Sequence, residues 1–317
     1  MNALRHLISV ADLAPADVDR LLATADVFAG GEAPDSLRGR TVVNLFYESS
    51  TRTSSSFELA ARRLGAGVTT IRAAGSSVDK GESLKDTVLT ISAYEPDAIV
   101  VRHPHAGAPE VVARHTAAHV VNAGDGKRQH PTQALLDLFT MREHLGRLDG
   151  LHVAIVGDVL HSRVARSNLI AFARMGAEVT VCGPPTLIPR GIEELGCEVY
   201  YSLDGLEQAD VVYALRMQKE RMGESFVPSL REYAAAFQIG TRRLNPRQLL
   251  MHPGPVNRGV ELSGEAIDSP QSLIAEQVAA GLVVRMAILY ELLAGGDAST
   301  PAAEGEGSAP TPIGTPA

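Results

Sequence analysis

The chain is predicted to be an α/β protein of two doubly wound parallel-sheet domains, with a site lying between them. Three observations carry this expectation. Short β-branched apolar runs alternate with segments whose apolar residues recur every three to four positions. The 317 residues suffice for two cores of ordinary size. A glycine-bounded break, Gly146 to Gly150, divides the alternation into two series.

The first helix is expected over Pro15–Phe28, where Val18, Leu21, Leu22 and Ala25 share a face. Thr41-Val42-Val43-Asn44-Leu45-Phe46 reads as a buried strand. After Ser56, the residues Phe57, Ala60, Ala61 and Leu64 return at helical spacing. A polar loop, Ala73 to Glu82, leads to a helix from about Ser83 to Ala93. Asp97–Val101 is a short strand that delivers Arg102 at its C-terminal end. Val120–Asn122 is another, followed by a loop to His130 and a helix over Gln133–Leu145, with Pro131 suited to its first turn.

Beyond the break, Leu151–Gly157, a helix near Arg163–Met175 and Glu178–Cys182 make a βαβ unit. Its turn reads Gly157-Asp158-Val159-Leu160-His161-Ser162-Arg163. The second and third glycines that let a backbone close on a pyrophosphate are absent, which argues against a dinucleotide site. Glu198–Tyr201, Val211–Leu215 and Leu249–Met251 are further strands, and an apolar helix spans Ile274 to Leu293. From Gly295 onward, Gly, Ala, Ser, Thr and Pro dominate, so residues 295–317 are expected to be a disordered tail.

Composition narrows the function classes. The chain is 45% hydrophobic and 21% charged, with a formal net charge of −8. Such acidity disfavours a general nucleic-acid or anionic-membrane binder, so any anion site must be a local cluster. No apolar run approaches a membrane span, and no basic stretch leads into a signal-like segment, so a cytoplasmic, soluble protein is expected. Cys182 and Cys197 have no metal-ligand spacing around them. A disulfide between them is formally open, but two buried reduced thiols suit that compartment better.

The most telling segment is Phe46-Tyr47-Glu48-Ser49-Ser50-Thr51-Arg52-Thr53-Ser54-Ser55-Ser56-Phe57-Glu58, in which hydroxyls crowd around one arginine between the first strand and the helix that follows it. Hydroxyls cap a helix start, where unpaired N–H groups and the positive dipole end face outward. With a guanidinium that can fork onto two oxygens, the turn becomes a receptor for phosphate. A well-capped helix with a surface arginine is the plainer reading of the same residues. What favours a site is recurrence: the Ser50–Thr53 turn, Arg102, Arg163 and Arg216 all fall at strand ends, where open parallel sheets gather ligands. His130 opens a helix in the same setting.

In order along the chain, Ser50-Thr51-Arg52-Thr53, Asp79-Lys80-Gly81-Glu82-Ser83, Val101-Arg102-His103-Pro104 and His130-Pro131-Thr132-Gln133 resemble the signature segments of the aspartate/ornithine carbamoyltransferase superfamily. Arg216-Met217-Gln218-Lys219-Glu220-Arg221 and His252-Pro253-Gly254-Pro255 resemble its aspartate-specific branch. The resemblance spans residues 3–294. It implies a carbamoyl-phosphate-binding domain, 1–135 completed by the helix at 280–294, and an aspartate-binding domain, 150–279. It implies transfer of a carbamoyl group from carbamoyl phosphate to L-aspartate. Ser50, Thr51, Arg52 and Thr53 would hold the phosphate, while Arg102, His130 and Thr53 polarise the carbonyl oxygen. Arg52, Thr53, Arg102 and His130 are thereby the catalytic candidates, with His130 a hydrogen-bond donor rather than a base. Gln133 and the backbone at Pro253 and Gly254 would meet the carbamoyl amide.

By the same resemblance, Arg163 pairs with the α-carboxylate of aspartate, and Arg216 and Gln218 take the β-carboxylate. Ser76 and Lys80 reach into the neighbouring subunit's site, with Lys80 on aspartate, which implies a homotrimer. A regulatory chain or a dihydroorotase is left open as a further partner. No metal or cofactor is called for, because phosphate is already a good leaving group. Two departures stand out: Ser54 where many relatives carry arginine, and Gly254 where many carry a larger apolar residue. The ornithine branch is disfavoured, since Arg216 would face a cationic side chain there. A catalytically silent scaffold is disfavoured by the completeness of the site.

Overall fold

A computed structural model describes residues 4–31, 35–72, 81–218 and 226–294. In chain order its elements are α1 (Pro15–Ala29), β1 (Thr41–Phe46), α2 (Thr51–Arg63), β2 (Gly67–Arg72), α3 (Leu84–Ser92), β3 (Ala98–His103), α4 (Ala108–Arg114), β4 (His119–Asp125) and α5 (Pro131–Leu145). The second series is β5 (His152–Val156), α6 (Arg163–Arg174), β6 (Glu178–Cys182), β7 (Cys197–Tyr200), β8 (Val211–Ala214), α7 (Leu230–Phe237), β9 (Leu249–Met251), α8 (Gly264–Ile267) and α9 (Ile274–Leu293). Two parallel sheets result, in the orders β2-β1-β3-β4 and β7-β6-β5-β8-β9. The doubly wound, two-sheet expectation holds.

The central strands are apolar without alternation because helices cover both faces; β1 is buried from Val42 to Phe46. An unbroken apolar cluster runs from Leu22 and Phe57 through Leu135 and Leu138 of α5 to Val153 and Phe172 beside the second sheet. Helix α9 packs on α1, α2 and α5, and so returns the chain to the first sheet.

Three differences from the sequence reading have physical reasons. Strand β2 was not anticipated: it is an edge strand, only partly buried, so its apolar pattern is thin. Helix α2 begins at Thr51 rather than after Ser56, because Ser50 caps it by accepting from the Thr53 amide. The hydroxyl residues are its first turns, where polarity hides helical period. Helices α4, α7 and α8 are too short to show one.

Cys182 and Cys197 are free and buried; burial pushes their thiols up to about 12 and about 11. Among the described residues, no helix is long and apolar enough to cross a membrane, and no His/Cys/Asp/Glu group could hold a metal ion. The expected tail, 295–317, lies outside the described residues.

Candidate active site

The C-terminal ends of the strands in both sheets open onto one cavity of about 810 Å³. Ser50, Thr51, Arg52, Thr53, Arg102, His130, Gln133, Arg163, Arg216, Gln218, Pro253 and Gly254 all line it. Ser76 and Lys80 lie outside the described residues, as do Lys219 and Arg221. Five arginines face the cavity (Arg52, Arg102, Arg163, Arg216 and Arg285), against a single lining carboxylate among the described residues, Glu48. Such a field, walled by low-dielectric protein, concentrates anions despite the net negative charge of the chain.

The phosphate-type turn is built as a helix start. Ser50 has extended backbone and spends its hydroxyl on the cap, and Thr53 is buried just inside. Arg102 reaches Thr53 from β3, its Nη1 donating to Oγ1 at 3.4 Å. The pairing of β3 with β4 slips by one residue between Val101 and His103, which flanks Arg102 with an irregularity. Arg52 is exposed and lies near Arg216; burial of part of the group, then that neighbouring charge, lowers its pKa.

His130 is the N-cap of α5 and is 4% exposed. Its backbone N–H donates to Ser167 Oγ at 2.7 Å, and Ser167 donates in turn to Gln129 Oε1 at 2.9 Å. Burial first, then the charges of Arg102, Arg163 and Arg285, hold the imidazole well below its ordinary pKa. It is therefore neutral at physiological pH and suited to hydrogen bonding rather than to carrying charge.

Arg163 starts α6, yet it is clamped to the first half of the chain. Nη1 donates to the Gly126 carbonyl at 3.2 Å, and Nη2 meets Glu48 Oε2 at 2.7 Å. The guanidinium passes so close to Gly124 (φ 117°) that a Cβ there would stand 2.9 Å from it. Glu48 Oε2 also lies 3.3 Å from Arg102 Nε. One carboxylate thus holds two of the arginines that the sequence reading assigned to different substrate groups.

On the opposite wall, Arg216 and Gln218 follow β8 and are partly buried. The Gln218 backbone N–H donates to Asp158 Oδ2 at 3.3 Å, and Asp158 is fully buried against His161. The His252–Pro255 loop closes the cavity. Gly254 N–H donates to His252 Nδ1 at 2.8 Å, which leaves the ring proton on Nε2, 3.4 Å from Glu261.

Sequence reasoning missed Glu48, Asp158 and Arg285. Arg285 is 5% exposed, stacks 5.2 Å above the Phe57 ring and donates to the Gly281 carbonyl; burial drops its pKa to about 10. A lone cation in the apolar run Ile274–Leu293 was the available signal. Glu48 gave none, because its significance depends on two arginines distant in sequence.

Two family models match this chain. One is described as aspartate/ornithine carbamoyltransferase, carbamoyl-P binding domain, over residues 5–143; the other as aspartate/ornithine carbamoyltransferase, Asp/Orn binding domain, over 149–292. The chain is 57% identical over 304 residues to the aspartate carbamoyltransferase catalytic subunit of Salinispora arenicola, covering 92% of this chain and 99% of that one. It is 52% identical over 316 residues to the catalytic subunit of Acidothermus cellulolyticus, covering 97% of each. Among solved structures, Trypanosoma cruzi aspartate transcarbamoylase in complex with carbamoyl phosphate and aspartate superposes with a TM-score of 0.82 at 32% identity, covering 91% of this chain and 97% of that one. The catalytic subunit of the M. jannaschii enzyme gives 0.82 at 36% identity, covering 93% and 100%.

Proposed function

The chain belongs to the aspartate/ornithine carbamoyltransferase family, and on that premise we propose how its residues divide the work of the reaction. The activity is transfer of the carbamoyl group of carbamoyl phosphate to the amine of L-aspartate, giving N-carbamoyl-L-aspartate and phosphate. The observation that carries the residue assignment is the convergence of five arginines, one neutral histidine and a capped helix start on one cavity.

In the proposed arrangement, the α2 N-terminus with Ser50, Thr51, Thr53 and Arg52 holds the phosphate. Attack by the amine forms a C–N bond and places negative charge on the carbonyl oxygen, which Arg102, His130 and Thr53 stabilise. The C–O bond to phosphate then breaks with its electron pair going to the phosphate oxygen, and the departing phosphate takes the amine's proton and leaves as the hydrogen phosphate dianion. Gln133 and the Pro253–Gly254 backbone meet the carbamoyl amide. Arg163 takes the α-carboxylate, and Arg216 and Gln218 take the β-carboxylate, where planar guanidinium forks match planar carboxylates. Residues 1–135 with 280–294 form the carbamoyl-phosphate domain in this scheme, and 150–279 the aspartate domain.

The same reading places the enzyme in pyrimidine biosynthesis, in the cytoplasm, where free buried cysteines are at home. It makes the working unit a homotrimer in which Ser76 and Lys80 complete a neighbour's site. Hybrid trimers mixed from inactive Lys80→Ala and His130→Ala chains should then recover activity, and verified hybrids without recovery would contradict the shared site. The primary test is a steady-state assay with carbamoyl phosphate, offering L-aspartate and L-ornithine separately. Turnover with aspartate alone is expected. Turnover with ornithine would overturn the roles of Arg216 and Gln218 while sparing the phosphate turn.

A further inference from the structure

One turn beyond Gln133 on α5, the Asp137 carboxylate is completely buried and receives four hydrogen bonds from four elements. Gln133 Nε2 (2.9 Å) and Gln277 Nε2 of α9 (2.7 Å) donate to Oδ1. Asn168 Nδ2 of α6 (2.9 Å) and the Tyr213 hydroxyl of β8 (2.7 Å) donate to Oδ2. Burial raises the carboxyl to about 6 and the four donors pull against it, so the group is mostly ionised at neutral pH. An ionised carboxylate only accepts, so three neighbouring amides must turn their NH2 groups toward it.

That constraint fixes what each amide offers at its other end. The Gln277 carbonyl oxygen accepts the His252 backbone N–H at 2.9 Å, which anchors the start of the loop that closes the cavity. Gln133 lines the cavity with its nitrogen already engaged. One hydrogen of that nitrogen goes to Asp137, and with the NH2 end fixed there the carbonyl oxygen at the other end is left to offer a ligand an acceptor.

We propose that Asp137 is a positioning residue that holds Gln133 as a dedicated acceptor for the NH2 of the carbamoyl group, and thereby makes the site reject acyl phosphates that carry a methyl in its place. The inference rests on the reading that Gln133 meets the carbamoyl amide. A methyl group gives the buried acceptor no partner, and a site built to bond an N–H discriminates strongly against an analogue lacking it.

The experiment compares kcat/KM for carbamoyl phosphate with that for acetyl phosphate, at saturating aspartate, in wild type and variants. Asp137→Ala frees the Gln133 amide to turn, and the carbamoyl-to-acetyl ratio should fall about tenfold. Asp137→Asn should restore most of it: an oxygen can still face Gln133 and Gln277, while Asn168 turns its unpartnered Oδ1 to the new NH2. Because the discrimination runs through Gln133, the Asp137→Ala/Gln133→Ala double variant should show the same carbamoyl-to-acetyl ratio as Gln133→Ala alone, whatever common loss of kcat/KM follows from loosening Gln277 and the loop it anchors. A folded Asp137→Ala enzyme with the wild-type ratio, or effects on the ratio that multiply in the double variant, would overturn the proposal. Neutron diffraction from wild-type crystals needs no variant to fold: the deuterated amide of Gln133 should point at Asp137, and the reverse orientation ends the argument. Absence of wild-type turnover with carbamoyl phosphate and aspartate would instead strike the functional reading itself.

Discussion

On the side of the cavity built from the first sheet, Thr53, His130 and Gln133 are buried and each is held by a neighbour: Arg102, Ser167 and Asp137 respectively. On the side that follows β8, Arg216 and Gln218 are only partly buried and lead directly into 219–225, beyond the described residues. Arg163 belongs to the second half by sequence but is clamped to the first by Glu48 and the Gly126 carbonyl. The first wall, the carbamoyl-phosphate side in the proposed scheme, thus consists of buried side chains fixed by partners, whereas the second, the proposed aspartate side, carries Arg216 and Gln218 in a more exposed setting. Burial costs a polar group its hydration and is sustained only where partners are supplied. The difference assigns preorganised electrostatics to the first wall and adaptable recognition to the second.

The largest effect should come from breaking the fixed wall. In the proposed scheme His130→Ala removes a donor to the developing oxyanion, a loss that typically lowers kcat by about 10²–10³. The KM for aspartate should move far less. The native imidazole is held below its ordinary pKa by burial and three arginines, so it should contribute no limb to the kcat profile between about pH 6 and 8. The sign for stability follows from proton counting: below the ordinary pKa near 6.5 the unfolded chain binds this proton and the folded chain does not. Stability contributed by neutral His130 is therefore lost as pH falls through that value, and His130→Ala should be less sensitive to acidification from pH 7 to 5. NMR titration of the imidazole at an ordinary pKa would refute both statements.

The contrast between the walls also explains what was legible in the sequence. Strands β1, β6 and β9 and helix α9 coincide with the predicted segments, because continuous apolar runs and long helical periods survive without tertiary context. Every candidate residue in the described segments lines the cavity, since motif side chains at strand ends converge wherever a parallel sheet is open. What escaped was the support behind them. Asp137 sits in Ala134-Leu135-Leu136-Asp137-Leu138-Phe139, and its partners come from α6, β8 and α9. Spacing along a chain cannot announce partners that distant. Glu48 is hidden for the same reason.

Glu48 joins the two walls, and neutralising it would sharpen the comparison. Its Oε2 contacts Arg163 at 2.7 Å and Arg102 at 3.3 Å from a half-buried position. Glu48→Gln preserves shape and removes the negative charge, turning ion pairs into weaker bonds in which only the arginine is charged. Arg102 retains Thr53 and the Ala123 carbonyl, so the carbamoyl-phosphate side is steadied from elsewhere. Arg163 loses more. The kcat/KM for aspartate should fall about tenfold, with a change in KM for carbamoyl phosphate of about twofold or less. Equal losses for both substrates would mean that Glu48 supports the two walls alike, and the distinction between them would fail.

The smallest effect is expected where the walls nearly touch, at Gly254. Its φ is 61°, and a Cβ built there would stand 2.2 Å from Arg52 Nη1. The absence of a Cβ lets Arg52 lie close against the closing loop. Gly254→Ala meets two costs. The left-handed backbone disfavours a side chain by about 1–2 kcal/mol, which should lower Tm by a few degrees. The methyl group also displaces the Arg52 guanidinium, but that group is the exposed end of a flexible side chain and can swing aside cheaply. The loop would keep its backbone groups facing the cavity, and the His130 and Arg102 donors lie elsewhere. KM for carbamoyl phosphate should therefore rise by about threefold while kcat holds, as expected for an interaction made equally in ground and transition states. A fall in kcat with KM unchanged would show that Arg52 acts on the transition state, and would move it from phosphate binding into the group that stabilises developing charge.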